Sequence, residues 1–219
     1  MGLKIGEKYQ DTKSLRYGSI MIMTDQDHDG SHIKGLLINF ISHFWPSLLH
    51  LNGFLKEFVT PILKVSRGAE VVKSFFTVPE YENWAEGKDL KPFKIKYYKG
   101  LGTSTAKEAK DYFKMIDKHK IEFEYQDNHD DEAIELAFAK KFADKRKEWL
   151  ESYDPATTFV DHNILNLRYV DFINKELILF SVADCARSIP SLCDGLKPGQ
   201  RKIMFCCFKR KLTTEVKVA

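Results

Sequence analysis

The stretch Ser19-Ile-Met-Ile-Met-Thr24, followed at once by Asp25-Gln-Asp-His-Asp-Gly30, decides the fold class. The first half is a short apolar run, which predicts a buried strand, and the second half is an acidic loop. Residues 32–44 then repeat apolar side chains at helical spacing, and Pro46 ends that helix. The apolar stripe predicted to lie on a sheet consists of Ile33, Leu36, Leu37, Phe40, Ile41 and Phe44. A strand, an acidic loop and a helix in this order indicate an α/β protein.

Outward from this unit, the pattern predicts strands over 57–65, 71–77 and 93–98, and helices over 105–115, 131–140 and 143–152. Residues 153–168 lack a clear period and are predicted to form a linker. Two further helices are expected over 170–186 and 198–210.

Composition excludes several classes of protein. The 219 residues are 43% hydrophobic and 13% aromatic, which is too apolar for a disordered chain. No apolar run reaches the roughly 18 residues of a membrane helix, and no secretory signal pattern opens the chain, so no membrane partner is expected. The net charge of +3 does not indicate a nucleic-acid partner, but residues 186–211 hold seven basic residues and one acidic residue.

The acidic loop is a candidate metal site. In an extended chain, alternation puts Asp25, Asp27 and Asp29 on one side, and three crowded carboxylates need a cation such as Mg²⁺ or Mn²⁺. An EF-hand loop also begins D-x-D-x-D-G, but its twelfth position is a glutamate where this chain has Leu36, and a strand precedes the loop. A solvated acidic turn that caps the helix through Asp29 or Ser31 remains the alternative.

Two further segments suit anion binding. Lys96-Tyr-Tyr-Lys-Gly-Leu-Gly102 leads into a helix whose Thr105 and Glu108 are spaced as a capping box. Its glycines, with Lys99, would let backbone amides approach an anion, although neither nucleotide-loop pattern is satisfied and an ordinary turn is an equal alternative. The other segment is Asp194-Gly-Leu-Lys-Pro-Gly-Gln-Arg-Lys202, which places Pro198 at the first helical position between basic side chains.

The positive charge at this second helix start opposes the helix dipole, which favours an anionic partner over a solvated basic end. The run Lys145-Arg146-Lys147 is less specific, because a short basic run is usually a solvated helix face.

Five motifs in order, covering nearly the whole chain, resemble the eukaryotic DNA topoisomerase II family of type IIA topoisomerases. They are TDQDHDGSHIKGLLINF (24–40), KYYKGLGTS (96–104), KRKEWL (145–150), DFINKELILFS (171–181) and RSIPSLCDGLKPGQRK (187–202). The resemblance implies a TOPRIM-type α/β sheet with flanking helices and inserted elements, followed by the first helices of a winged-helix domain. Residues 1–152 would be the C-terminal part of TOPRIM, 153–169 a linker and 170–219 the start of the winged-helix domain.

The resemblance also implies site residues. Asp25, Asp27 and Asp29 match the DxDxD motif that holds Mg²⁺ for DNA cleavage and religation in the family, with Mn²⁺ as a substitute. The positions matching basic residues that contact cleaved double-stranded DNA are Arg146, Lys147, Lys197, Arg201 and Lys99. The family acts in the nucleus as a homodimer, and ATP bound at a separate domain drives passage of one duplex through a double-strand break in another.

In the family, a tyrosine hydroxyl attacks a DNA phosphate. By this resemblance, the TOPRIM glutamate is expected before Met1, the nucleophilic tyrosine after Ala219 and the ATPase domain elsewhere, so the isolated chain is expected not to cleave DNA. Tyr169 is predicted not to be the nucleophile. Two alternatives are a primase or nuclease with a TOPRIM-like acidic site, and a stand-alone fragment that acts only as a DNA-binding module.

Overall fold

The computed structural model describes residues 1–68, 70–98, 100–155, 157–160 and 164–217. The strands are β1 (Ile20–Ile22), β2 (Leu55–Phe58), β3 (Leu63–Arg67), β4 (Glu70–Phe75), β5 (Lys94–Tyr97), β6 (Lys120–Glu124) and β7 (Asn166–Arg168). The α-helices are α1 (His28–Phe44), α2 (Pro46–Leu49), α3 (Val78–Ala85), α4 (Ala106–Lys114), α5 (Asn128–Phe138), α6 (Ala143–Glu151), α7 (Tyr169–Phe172), α8 (Ile178–Ser188) and α9 (Pro198–Lys209). A π-helical segment, Ile173–Leu177, joins α7 to α8.

The main sheet has four strands in the order β1-β2-β6-β7. β1 runs parallel to β2, β2 antiparallel to β6, and β6 parallel to β7. Helices α1, α5 and α7 cover this sheet, and the shared core contains fully buried Ile38, Leu48, Phe54, Phe123 and Phe172. This mixed arrangement confirms the predicted α/β class, and it places the acidic loop at the carboxyl end of β1.

A second, three-stranded sheet has the antiparallel order β4-β3-β5. Its core is separate from the main core and consists of Ile62, Leu63, Val65 and Phe75, against which Tyr81, Trp84 and Phe93 pack. The single strand predicted over 57–65 is therefore wrong. The residues form the end of β2 and the start of β3 in two different sheets, with Pro61, which has no N–H to donate to a ladder, between them.

Three elements depart from the sequence expectations. Helix α3 and strand β6 were not predicted, because neither segment shows a strong period. Residues 166–168 lie in the predicted linker, yet they form β7 and pair with β6. The limits of the domains themselves stay a prediction.

The buried face of α1 differs from the predicted stripe. Ile33, Leu36, Leu37 and Phe40 are each about half exposed, whereas the buried residues of α1 are Gly30, Ser31, Lys34, Gly35, Ile38 and Ile41. A Cβ on Gly35 would lie 3.0 Å from Phe138 and 3.1 Å from Leu177, so the glycine permits close packing on α5 and the π-segment. The buried face is thus defined by small residues and a paired lysine, which a hydrophobic pattern does not reveal.

In the parts of the chain that the structure describes, no helix combines the length and the apolar character needed to span a bilayer.

Candidate metal and nucleic-acid site

The acidic loop turns directly into α1. The carboxylate of Asp27 is the N-cap and accepts a hydrogen bond of 2.8 Å from the amide of Gly30, so the helix begins at His28. This corrects two expectations. Asp29 lies in the first helical turn rather than in an extended segment, and the capping residue is Asp27, where Asp29 or Ser31 was expected.

Asp25 brings the acidic loop and the glycine loop together. Its Oδ1 accepts a hydrogen bond of 2.6 Å from the amide of Leu101. A Cβ on Gly100 would lie 2.7 Å from the carboxylate of Asp25, and a Cβ on Gly30 would lie 1.9 Å from the carbonyl oxygen of the same aspartate. Both positions therefore require glycine, and the backbone amides of the glycine loop contact a carboxylate of this chain.

Asp29 faces the opposite side and binds Arg187. The guanidinium donates two hydrogen bonds to its carboxylate, of 2.5 and 2.9 Å, and a third of 3.1 Å to Asp184. These hydrogen bonds hold the pKa of Asp29 below its ordinary value. Arg187 was not among the predicted site residues; its place in a basic stretch was visible, but its pairing with a residue 158 positions away was not.

The carboxylates suit a hard cation, although the three side chains do not converge. Asp25 and Asp27 lie at the end of β1 and present oxygen atoms, the ligands that Mg²⁺ and Mn²⁺ prefer. Within the ranges that the structure describes, no group of three His, Cys, Asp or Glu side chains is arranged to hold a metal ion by itself. Asp29 is occupied by Arg187, so the metal set stays a prediction that rests first on Asp25 and Asp27.

The basic start of α9 is exposed, and its side chains differ in what they contact. Lys197 is the N-cap residue, and its backbone amide donates to the side chain of Gln200 at 2.8 Å. Arg201 donates two hydrogen bonds of 2.7 Å to Asp194, which fix the turn before the helix. Lys99, on the glycine loop, lies outside the described residues.

The basic pair on α6 contributes to structure as well as to charge. Arg146 donates from Nη1 to the carbonyl oxygens of Leu136 and Ala139, at 3.1 and 2.7 Å, and so closes the end of α5. Lys147 is exposed and pairs with Asp144 at 2.8 Å. Both basic residues line a cavity of about 370 Å³.

The opposite wall of that cavity includes His32 of α1 and Asp184 of α8, and His32 stacks on Phe180 with ring centroids 4.0 Å apart. Because Asp184 also binds Arg187, the α6 residues lie on the same side of the molecule as the acidic loop.

Tyr169 is part of the core. Its side chain is 1% exposed, and its ring stacks on Phe123 with centroids 5.4 Å apart. Burial raises the pKa of the phenol well above its ordinary value. This environment supports the prediction that Tyr169 is not a nucleophile toward DNA.

Comparison with known proteins defines the class. Residues 58–185 match the family described as the C-terminal associated domain of TOPRIM, and residues 187–219 match the DNA gyrase/topoisomerase IV family. The first match covers more than half of the chain, which therefore belongs to the family of TOPRIM C-terminal associated domains.

The particular similarity is to eukaryotic DNA topoisomerase 2, as the motifs predicted. The whole chain is 58% identical to DNA topoisomerase 2 of Arabidopsis thaliana and 54% identical to that of Saccharomyces cerevisiae, of which it spans 15% and 16%. It also matches, with a TM-score of 0.87 and 57% identity, a crystal structure of the Plasmodium falciparum topoisomerase II DNA-binding, cleavage and re-ligation domain. The chain covers 30% of that solved chain.

Proposed function

We propose that this chain is a segment of an ATP-dependent type II DNA topoisomerase, the enzyme that passes one DNA duplex through a transient double-strand break in another. The observation that carries the proposal is the meeting of three separate motifs at the end of β1. Asp25 contacts the glycine loop through Leu101, and Asp29 contacts Arg187 of α8. Identity over the whole chain to relatives named DNA topoisomerase 2 supports the same function.

In this proposal the acidic loop holds Mg²⁺, or Mn²⁺ in its place. Asp25 and Asp27 supply the first carboxylates, and Asp29 joins them when Arg187 releases it. When bound, the cation stabilises negative charge that develops on the DNA phosphate during reaction. The residues of the chain orient the carboxylates: Gly100 and Leu101 fix Asp25, and the cap on α1 fixes Asp27.

Double-stranded DNA is the proposed partner of the basic residues. Lys197 extends from the exposed start of α9, where free backbone amides and a positive charge together suit a phosphate. Arg146, Lys147 and Arg201 contribute further positive charge, and Lys99 is proposed from the resemblance alone.

The proposed reaction is a transesterification. A tyrosine oxygen forms a bond to phosphorus while the bond from phosphorus to the DNA sugar oxygen breaks, and that oxygen leaves as a hydroxyl after taking a proton. Reversal restores the DNA and the tyrosine. The core position of Tyr169 disfavours it in this role, so another tyrosine of the complete protein serves, and ATP binds outside this segment. The complete protein acts as a homodimer in the nucleus.

The test separates chemistry from DNA binding. Fluorescence anisotropy with a short duplex, over a series of salt concentrations, compares the chain with Asp25→Asn and Lys197→Ala. Lys197→Ala is expected to weaken binding and to reduce the salt dependence by about one ion, whereas Asp25→Asn leaves affinity unchanged or raises it. An equal loss in Asp25→Asn would contradict a metal role for the loop and would favour a simple DNA-binding module.

A second measurement concerns the isolated chain. Denaturing electrophoresis after incubation with supercoiled DNA and Mg²⁺ is expected to show no covalent protein–DNA product. Such a product would overturn the proposal that the nucleophile lies elsewhere.

A further inference from the structure

A buried carboxylate joins the acidic loop to the helix that follows β7. Glu176 belongs to the π-segment and is 8% exposed. Its Oε1 accepts a hydrogen bond of 2.7 Å from the hydroxyl of Ser31, in the first turns of α1. The same carboxylate forms an ion pair with Lys34, one turn further along α1.

Lys34 is shared between two carboxylates. Its ammonium is also 2.5 Å from Glu57 of β2, and its side chain is almost completely buried. Burial disfavours the charged form, but Glu176 and Glu57 outweigh it and raise the pKa of Lys34 above its ordinary value. The lysine is therefore charged, and loss of either carboxylate leaves a buried charge with one partner fewer.

The contact continues from Ser31 to the acidic loop itself. The amide of Ser31 donates to the carbonyl oxygen of Asp27 at 3.1 Å, and its hydroxyl lies 3.3 Å from the same oxygen. Asp27 in turn caps the amide of Gly30. A continuous set of hydrogen bonds thus runs from the Glu176 carboxylate, through Ser31, to the backbone of the acidic loop.

The helix carrying Glu176 is irregular at this point. Residues 173–177 form a π-helical turn, an uncommon conformation that frequently occurs at functional sites. Within this turn, Ile173 and Leu177 pack in the main core while Glu176 reaches Ser31 and Lys34. The irregular turn therefore presents a charged and an apolar side chain to the same helix.

We propose that Glu176 is a positioning residue for the acidic loop: through Ser31 it fixes the start of α1, and with it the orientation of Asp27. The inference rests on the proposed function only for what the loop binds, because the order of the loop is measurable without a cation. Glu176 itself contacts neither DNA nor cation in this role.

Glu57 provides a matched control. Glu57→Gln and Glu176→Gln each remove one of the two negative charges beside Lys34, so both are expected to lower the thermal unfolding temperature. Of these two glutamates, Glu176 is the one in the hydrogen-bond path through Ser31. Ser31→Ala breaks that path and leaves both carboxylates beside Lys34.

The experiment uses the full 219-residue chain. Amide hydrogen exchange by NMR reports the Gly30 and Ser31 amides, which are bonded to Asp27. Glu176→Gln and Ser31→Ala are expected to accelerate their exchange by about tenfold or more relative to Glu57→Gln, whose rates stay near those of the wild type. Titration with Mn²⁺, followed by electron paramagnetic resonance, is expected to show affinity about tenfold weaker in the same two variants.

Equal exchange rates in Glu57→Gln and Glu176→Gln, or wild-type rates in Ser31→Ala, would overturn the inference. If Glu176→Gln does not fold, Ser31→Ala decides alone. A wild-type chain that orders the loop but takes up no Mn²⁺ would count against the proposed metal site, while the exchange rates would still decide whether Glu176 positions the loop.

Discussion

At the scale of single residues, the site depends on where a Cβ atom is missing. Gly100 has an extended backbone that any residue adopts, so its role is spatial rather than conformational. The carboxylate of Asp25 occupies the volume that a side chain at this position would fill. Gly102, two residues later, has no neighbouring atom within 4 Å of its Cβ position.

Gly100→Ala is therefore expected to displace Asp25 and to lower the free energy of unfolding by roughly 1 to 3 kcal/mol, the usual cost of forcing extra atoms into a packed position. Gly102→Ala, the matched control, is expected to be neutral or to stabilise by about 0.4 to 1 kcal/mol. Denaturant unfolding and the NMR shift of the Leu101 amide measure the two effects. Similar results for both alanines would show that the contact with Asp25 does not restrict this loop.

Tyr169 gives a second test at this scale. Since its ring packs on Phe123, Tyr169→Ala is expected to cost about 3 to 5 kcal/mol of stability, as for other large aromatic truncations. Tyr169→Phe keeps the ring and is expected to leave DNA cleavage unchanged when introduced into the complete enzyme. Loss of cleavage in a folded Tyr169→Phe enzyme would make this tyrosine the nucleophile.

At the scale of elements, Glu108 connects α4 to the three-stranded sheet. Its carboxylate completes the predicted capping box with Thr105, which is confirmed, and also accepts from Tyr98 and from Lys64 of β3. Partial burial alone would raise the pKa of Glu108. The hydrogen bonds from Thr105, Tyr98 and Lys64 outweigh it, and the pKa lies far below the ordinary value of 4.5.

A carboxyl with a depressed pKa stabilises the fold fully above its ordinary value, and this contribution is lost as the pH falls toward the lower value of the folded state. Glu108→Gln is expected to cost roughly 1 to 3 kcal/mol at neutral pH, with the difference from the wild type shrinking as the pH falls below 4.5. Glu135→Gln, on an exposed pair with Lys141, is the control. Urea unfolding from neutral pH down to about one unit below that ordinary value measures both, and a constant difference would contradict the low pKa.

The elements also show what the sequence can and cannot predict. The strand before Asp25, the helix after it and the cap at Thr105 were predictable, because local spacing specifies them. The buried face of α1 was not, since it is built from Gly35 and a lysine whose partners, Glu57 and Glu176, are distant in sequence. Long-range pairs of this kind leave no period in the sequence.

The candidate site shows the same division. Asp25 and Asp27 were recognisable from their motif, and the structure places both at the end of β1. The contacts of Asp25 with Leu101 and of Asp29 with Arg187 join residues 76 and 158 positions apart. Only the fold brings these residues together, so the pairing of motifs could not be predicted from their spacing.

At the scale of the whole molecule, two separate hydrophobic cores predict two levels of stability. The core of the three-stranded sheet centres on four buried residues, whereas the main core is several times larger. Phe75 and Phe123 are almost equally buried, one in each core.

Phe75→Ala and Phe123→Ala should each remove about 3 to 5 kcal/mol of local packing. Phe75→Ala is expected to accelerate amide exchange in β3, β4 and β5 while β1, β2 and β6 stay protected, because partial unfolding of the smaller core leaves the larger one intact. Phe123→Ala is expected to accelerate exchange in both sheets. Uniform loss of protection in Phe75→Ala would show that the two cores unfold as one cooperative unit.

The π-helical turn at Ile173–Leu177 has a consequence for how this protein tolerates changes in length. Deleting one residue there would restore an ordinary α-helix and rotate everything after it by about 100° relative to the sheet. Arg187 would then swing away from Asp29, although no residue of the site had been substituted. Insertions and deletions in this short segment are therefore expected to be selected against as strongly as replacement of the aspartates themselves.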